Sequence, residues 1–481
     1  MTIDVLPDVA LLEIFDFCLD EDLAVDWHTL VHVCQNWRNI IFGSARRLNL
    51  QLRCTAGTRM REMPDIWPPL PIVVESDGHD KWGVDNIVAA LEQNDRIIAI
   101  YLWPVGDTFS ASQMEEILVA MQQPFPALRG LELRFAPVNF ASFLGGSAPC
   151  LQELCLNLIT FAGLPKLLLS STNLVCLTLV EIRHSGYISP EELVTCLSVL
   201  TRLDTLNIKF ESRRSRPDHQ RPPPQTRTLL PVFTGLEFKG ASKYLEDLVA
   251  RIDTPLLEYL TITLFHERIF DTPHLNQFIG RTPNFWARDV AYVDFITPGA
   301  HVTLPKKFTE EHSVVFKLGV LSKEPDWQLS SLARLCSSSF PQGVLSVVER
   351  LYFAGHFSQL HWHDDTETRQ WLELLHPFTA VRELYLSQDF APSFALVLEE
   401  LDGERVTEVL PALQTLFLEP LPSGSVLDII WEFVAARELV GHPIAVSHWQ
   451  LGWRAHHGTG NKLIEGGRCT YTFYITACTD C

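Results

Sequence analysis

Apolar residues recur along this chain in two distinct rhythms. Between positions 3 and 42 the spacing is helical: Val9, Leu11, Leu12, Ile14, Phe15 and Leu19 form one run, and Trp27, Leu30, Val31, Val33, Cys34, Trp37, Ile40 and Ile41 form a second. Pro7 stands where a first helix turn would begin, a position at which its missing N–H costs nothing, and Gly43 stands where the last helix would stop. The acidic triplet Asp20-Glu21-Asp22 interrupts the pattern and predicts a loop.

Past the helical runs the rhythm changes to apolar-x-x-apolar-x-apolar, a short strand with alternating faces. Copies begin at Ile97, Leu128, Leu151, Leu174, Leu203, Phe233, Leu257, Val348, Val381 and Leu413, with weaker ones at Ala45, Ala287 and Val315. From Ile97 to Leu413 successive starts lie 23 to 33 residues apart. Stretches with helical spacing fall between them, at 115–123, 190–200 and 244–252. Strand, turn and helix repeated at this period predict an α/β architecture, an irregular solenoid with parallel strands on one face and helices on the other. The alternative is a non-repetitive α/β fold whose strands share the same motif.

Each predicted strand places one residue, between its last two apolar positions, on the face opposite the helices. That row reads Glu132, Cys155, Thr178, Asn207, Glu237, Thr261, Tyr352, Tyr385, Phe417, polar first and aromatic later. Aromatic side chains are favoured anchors in protein interfaces. Tyr352, Tyr385 and Phe417 are therefore the candidate substrate-binding residues, unless helices or the tail cover them.

Composition adds bounds. Of 481 residues 47% are hydrophobic and 20% charged, as in folded globular chains, and the net charge of −20 argues against sequence-independent nucleic-acid binding. The opening residues lack a basic region and the longest apolar runs are too short for a bilayer, so no targeting segment or membrane span is expected. The eleven cysteines follow no framework, which favours reduced thiols and an intracellular, cytoplasmic or nuclear, setting.

Segment 211–228 holds five arginines and four prolines and reads as a solvated loop rather than a basic docking arm. His361 and His363 would share a strand face but lack a third ligand, His456-His457 likewise, and Cys478 and Cys481 have no second pair, so no metal site and no cofactor is expected. A cysteine fourth from the end also matches a prenylation signal in place, but Asp480 fits its aliphatic slot poorly. No phosphate-binding glycine loop and no nucleophile elbow occurs, so no catalytic residue is expected.

The amino-terminal helices are too small to bury all their apolar surface, and the remainder must meet the rest of the chain or a partner. Their order, Leu6-Pro7, then Ile14-Phe15, then Val33-Cys34-x-x-Trp37-Arg38-x-Ile40, resembles the F-box. With the repeats, the chain is similar to F-box proteins bearing degenerate leucine-rich repeats. Val9 replaces the acidic residue common after the Leu-Pro pair, the following loop is longer, and the repeats mostly lack the usual asparagine, Asn157 being the nearest.

The resemblance implies a module over residues 1–45 that docks a Skp-type adaptor and through it a cullin. Leu6, Pro7, Leu11, Ile14, Leu30, Val33, Cys34 and Trp37 are then its adaptor-facing or core positions, which the sequence does not separate. A repeat region over 46–440 would bind a protein substrate, and 441–481 would be a cap or tail. The implied function is substrate recruitment for a ubiquitin ligase, without enzymatic activity of the chain itself. The alternative is a repeat scaffold attached to no ligase.

Overall fold

In the computed structural model the described residues are 6–449, apart from 20–26, 56, 59, 63–67, 77–82, 104–109, 135–138, 141–142, 159, 162, 213–225, 287, 297, 306–314, 323–324, 342, 355–366, 402 and 420–423. The candidate metal stretch at 361–363, the acidic loop at 20–22, most of the arginine-proline segment and the histidines and cysteines after 450 thus lie outside the described residues. The fold is mixed α/β, and the chain forms two compact units, one of residues 1–188 with 199–203, the other of 189–198 with 204–481.

The first unit opens with helices Asp8–Cys18, Trp27–Val31 and Gln35–Gly43. Its sheet follows in the order Leu52–Cys54, Ile72–Ser76, Ile97–Leu102, Gly130–Arg134, Glu153–Asn157, Cys176–Ile182, each strand parallel to the next. Leu131, Leu154 and Leu177 lie side by side in register and are buried. Helices Val84–Leu91, Ala111–Ala120 and Leu164–Ser170 make three of the crossovers that parallel pairing needs. Helix Ala111–Ala120 starts on a reciprocal cap, with Ser110 accepting from the Gln113 N–H while the Gln113 side chain accepts from the Ser110 N–H.

In the second unit the strand order is Thr205–Phe210, Gly235–Gly240, Tyr259–Phe265, Val315–Leu321, Gly299–Pro305, Val290–Ile296, Arg350–Ala354, Glu383–Leu386, Thr415–Leu418, Ala445–His448. All ten strong apolar triplets of the sequence end in strands and are buried at every position. The weak copy at Ala45 is not a strand; residues 45–49 are turns, and pairing begins at Leu52. Strands Leu52–Cys54, Ile72–Ser76 and Ala445–His448 carry no such triplet.

The expectation of uniformly parallel strands is corrected at one place. Gly299–Pro305 runs antiparallel to both neighbours, Val290–Ile296 and Val315–Leu321. It follows the preceding strand after a two-residue connection, too short for a helical crossover, so the chain must reverse. Gly319 permits the close pairing, since a Cβ there would stand 2.7 Å from the Ala300 carbonyl oxygen and about 3 Å from the His301 side chain.

Candidate interaction surfaces

The helical module is built around an aromatic contact. Phe15 and Trp37 meet edge to face at 4.8 Å between centroids, and Leu11, Leu30, Val31 and Ile41 are buried around them. Pro7 caps the first helix in an extended conformation, its carbonyl accepting from the Leu11 N–H. Cys34 caps the third, its sulfur accepting from the Trp37 N–H at 3.4 Å. Trp27 donates its indole N–H to the Gln51 carbonyl at 2.8 Å, tying the second helix to the chain that leads into the sheet.

The sequence candidates therefore divide. Leu11, Leu30 and Trp37 point into the module, while Leu6 and Cys34 are half-buried, Cys34 being the helix cap. Pro7, Ile14 and Val33 face outward. Two further apolar residues share that exposure and were absent from the candidate set, Val9 at 66% and Phe17 at 69%. With about 100° of turn per residue, Val9, Phe17 and Ile14 span roughly 140° of the helix surface, the arc turned away from Leu11 and Phe15. That arc is mixed, because Glu13 falls between Val9 and Phe17 on it and pairs with Arg47, and Asp16 lies beside Val9. Helical-wheel arithmetic on the first run was the available signal for Phe17.

On the sheet face of the second unit, strand register produces one continuous row. Asn207, Glu237, Thr261, Lys317, Thr303, Tyr292, Tyr352, Tyr385, Phe417 and Ser447 are successive partners. Its polar end is knitted together, with the Asn207 amide donating to Glu237 at 2.6 Å and Lys209 pairing with Glu237 at 2.8 Å.

At its aromatic end, rings stack across neighbouring strands: Tyr292 on Tyr352 at 4.9 Å, Tyr352 on Tyr385 at 4.1 Å and Tyr385 on Phe417 at 4.3 Å, the last pair within 3° of parallel. Tyr352 retains 4% exposure, while Tyr385 and Phe417 are half-buried. Burial raises the hydroxyl pKa of Tyr292, Tyr352 and Tyr385, with neighbouring tyrosines adding to the rise at Tyr292 and Tyr385, so all three stay neutral.

Trp449 folds over this stack. Its ring stands edge-on to Tyr385 at 5.5 Å and to Tyr352 at 6.2 Å, and its indole N–H donates to the Leu386 carbonyl at 3.0 Å. Tyr352, Trp449 and Val290 form a buried cluster, with Tyr292, Tyr385 and Phe417 packed against it. Tyr292 and Trp449 were not among the sequence candidates. Tyr292 lies in a copy of the motif opened by alanine, and Trp449 follows a strand that carries no motif.

Beside the stack the antiparallel insertion brings three further titratable groups to this face. Asp294 and His301 are register partners, and Lys317 lies on the next strand. Burial pushes the Asp294 carboxyl up to about 6 against the pull of Lys317. It pushes His301 down to about 3, with Lys317 adding to the fall.

Among the described residues no group of three histidine, cysteine or acidic side chains could hold a metal ion, and no helix is long and apolar enough to cross a membrane. The cysteines at 155 and 196 are half-buried and buried, and burial raises their thiols to about 12 and about 11. No protein-family model matches the chain, and no curated protein matches its sequence.

Proposed function

We propose that the chain is a substrate-recruiting subunit of a Skp-cullin-F-box type ubiquitin ligase. Its amino-terminal helices would dock a Skp-type adaptor, and the row ending in Tyr352, Tyr385 and Phe417 would bind a protein client. The supporting observation is the set of exposed apolar residues Val9, Ile14 and Phe17 on the outer, partly acidic side of helix Asp8–Cys18, whose Leu11 and Phe15 are buried, with Val33 exposed just before the third helix. An exposed apolar set of this kind on a small module calls for a partner. The ligase chemistry belongs to the other subunits on this reading, and the chain would act in the cytoplasm or nucleus.

The adaptor test follows from the division of the module. Full-length protein should retain a Skp-type adaptor in a pull-down. Serine at Val9, Ile14, Phe17 and Val33 together should abolish retention while leaving the melting temperature unchanged. Failure of the wild-type chain to retain the adaptor, or equal retention by the variant, removes the ligase reading. A second reading, a repeat scaffold with these helices as its cap, is favoured by the Trp27–Gln51 hydrogen bond. Loss of adaptor binding as an outcome would leave that one standing.

A further inference from the structure

The last described strand is held differently from the others. Of Ala445–His448, the outer residues Ala445 and His448 are exposed and Val446 and Ser447 are half-exposed. The side chains that anchor the segment flank the strand: Ile444 and Trp449 are both buried. Backbone pairing joins it to Thr415–Leu418 alone among the described strands, from the Ala445 N–H to the Gln414 carbonyl at 2.8 Å through the Trp449 N–H to the Leu418 carbonyl at 3.1 Å. It enters after Gly441, at φ +83°, and Pro443, so a turn separates it from helix Gly424–Leu439.

Two anchors five residues apart on a four-residue strand make a pattern that a separate peptide could reproduce. The seated segment pairs its main chain with the edge of Thr415–Leu418, buries an aliphatic side chain at one end, and lays an indole over Tyr352 and Tyr385 at the other. Ser447, the row's next position after Phe417, is small, which lets the ring at 449 reach back across the stack. Strand addition of this kind draws affinity from main-chain hydrogen bonds and specificity from side-chain pockets.

We propose that Ile444–Trp449 is an exchangeable strand occupying a peptide-binding groove, and that the partner is an extended protein segment with an aliphatic residue followed five positions later by tryptophan. While the chain's own segment is seated, Trp449 covers the stack. A partner segment replaces it by pairing parallel to Thr415–Leu418 and placing its indole on Tyr352 and Tyr385. This names the client chemistry of the aromatic row and rests on reading that row as the client surface; adaptor docking is not involved.

The probe is a fluorescein-labelled peptide of residues 441–450, GHPIAVSHWQ, titrated into full-length protein by anisotropy. Two variants open the groove by different routes. Trp449→Ala removes the covering ring, and Ala445→Pro removes the N–H that bonds the Gln414 carbonyl while keeping every aromatic. The peptide should bind both at least about tenfold more tightly than wild type, and a peptide carrying Trp449→Ala should bind neither. Should Trp449→Ala melt without a cooperative transition, Ala445→Pro carries the comparison. Equal affinity for wild type and variant, or binding that survives loss of the peptide's tryptophan, overturns the proposal. Wild-type dimers exchanging this segment would assign the groove to a second copy and overturn the partner reading. Adaptor retention by the same variants is read separately, so a failure of the ligase reading and a failure of strand exchange are told apart.

Discussion

Two buried ionisable side chains show how single residues hold this molecule. Arg437, with 0% exposure, donates to the carbonyls of Val406, Pro411 and Leu413. These are turn carbonyls before strand Thr415–Leu418, and the guanidinium fork reaches them together as no ammonium could. Arg437→Met fills the volume but orphans them; destabilisation of about 3 kcal/mol is expected in urea unfolding. Glu246 accepts from the backbone N–H groups of His274 and Leu275 at 2.8 and 2.7 Å, capping the helix Pro273–Gly280 from another helix.

Burial, against those two N–H donors, pushes the Glu246 carboxyl up to about 7 from its ordinary 4.5. The folded chain then holds a proton that the unfolded chain has released. The contribution is complete below about pH 4.5 and is lost as pH rises through about 7. Glu246→Gln cannot titrate, so its stability relative to wild type should improve by on the order of 2 kcal/mol between pH 5 and pH 8. A pH-independent difference would show that the carboxyl titrates normally. His301 works in the opposite sense. Its folded pKa of about 3 lies below the unfolded value, so its contribution is present above about pH 6.5 and is lost as pH falls.

At the scale of elements, side-chain caps set a few helix starts, and faces decide which apolar residues are buried. Ser189 accepts from the Glu192 N–H, Glu192 accepts from the Ser189 N–H, and Pro190 takes the first helical position, which sets the start of Pro190–Leu197. Ser189→Ala should cost about 1 kcal/mol in thermal or urea unfolding. In the helix Asp8–Cys18 the two faces predict opposite outcomes for similar substitutions. Phe15→Ala leaves a cavity against Trp37 and should cost about 3–5 kcal/mol. Phe17→Ala, on the outer face, should change stability by less than about 0.5 kcal/mol in the same melt. These elements were legible because apolar spacing and capping residues are local in sequence. Whether Trp37 or Val33 lay inside was not legible, since both sit at helical spacing and only packing on Phe15 distinguishes them.

For the whole molecule the repeated apolar triplet was enough to place ten strands, since each buries three residues against helices regardless of its neighbours. It did not place Gly299–Pro305, which alternates buried Ala300, Val302 and Leu304 and carries no such triplet, nor the strand order around it, which inverts the run from Val290 to Leu321. That inversion joins the two halves of the expected row. It sets Thr303 and Lys317, which lie 42 and 56 positions after Thr261 in sequence, between Thr261 and Tyr292, and gathers Asp294, His301 and Lys317 beside the rings.

The sequence by itself determined the helical module, the α/β alternation and an aromatic tendency toward the carboxyl end, because periodicity, capping and β-propensity act over a few residues. Tertiary structure decided which apolar residues of the module stay outside and how the rings stack. It also decided that Trp449, some 64 residues beyond Tyr385, covers them. Those outcomes depend on strand register and on contacts between distant segments, which no local pattern encodes.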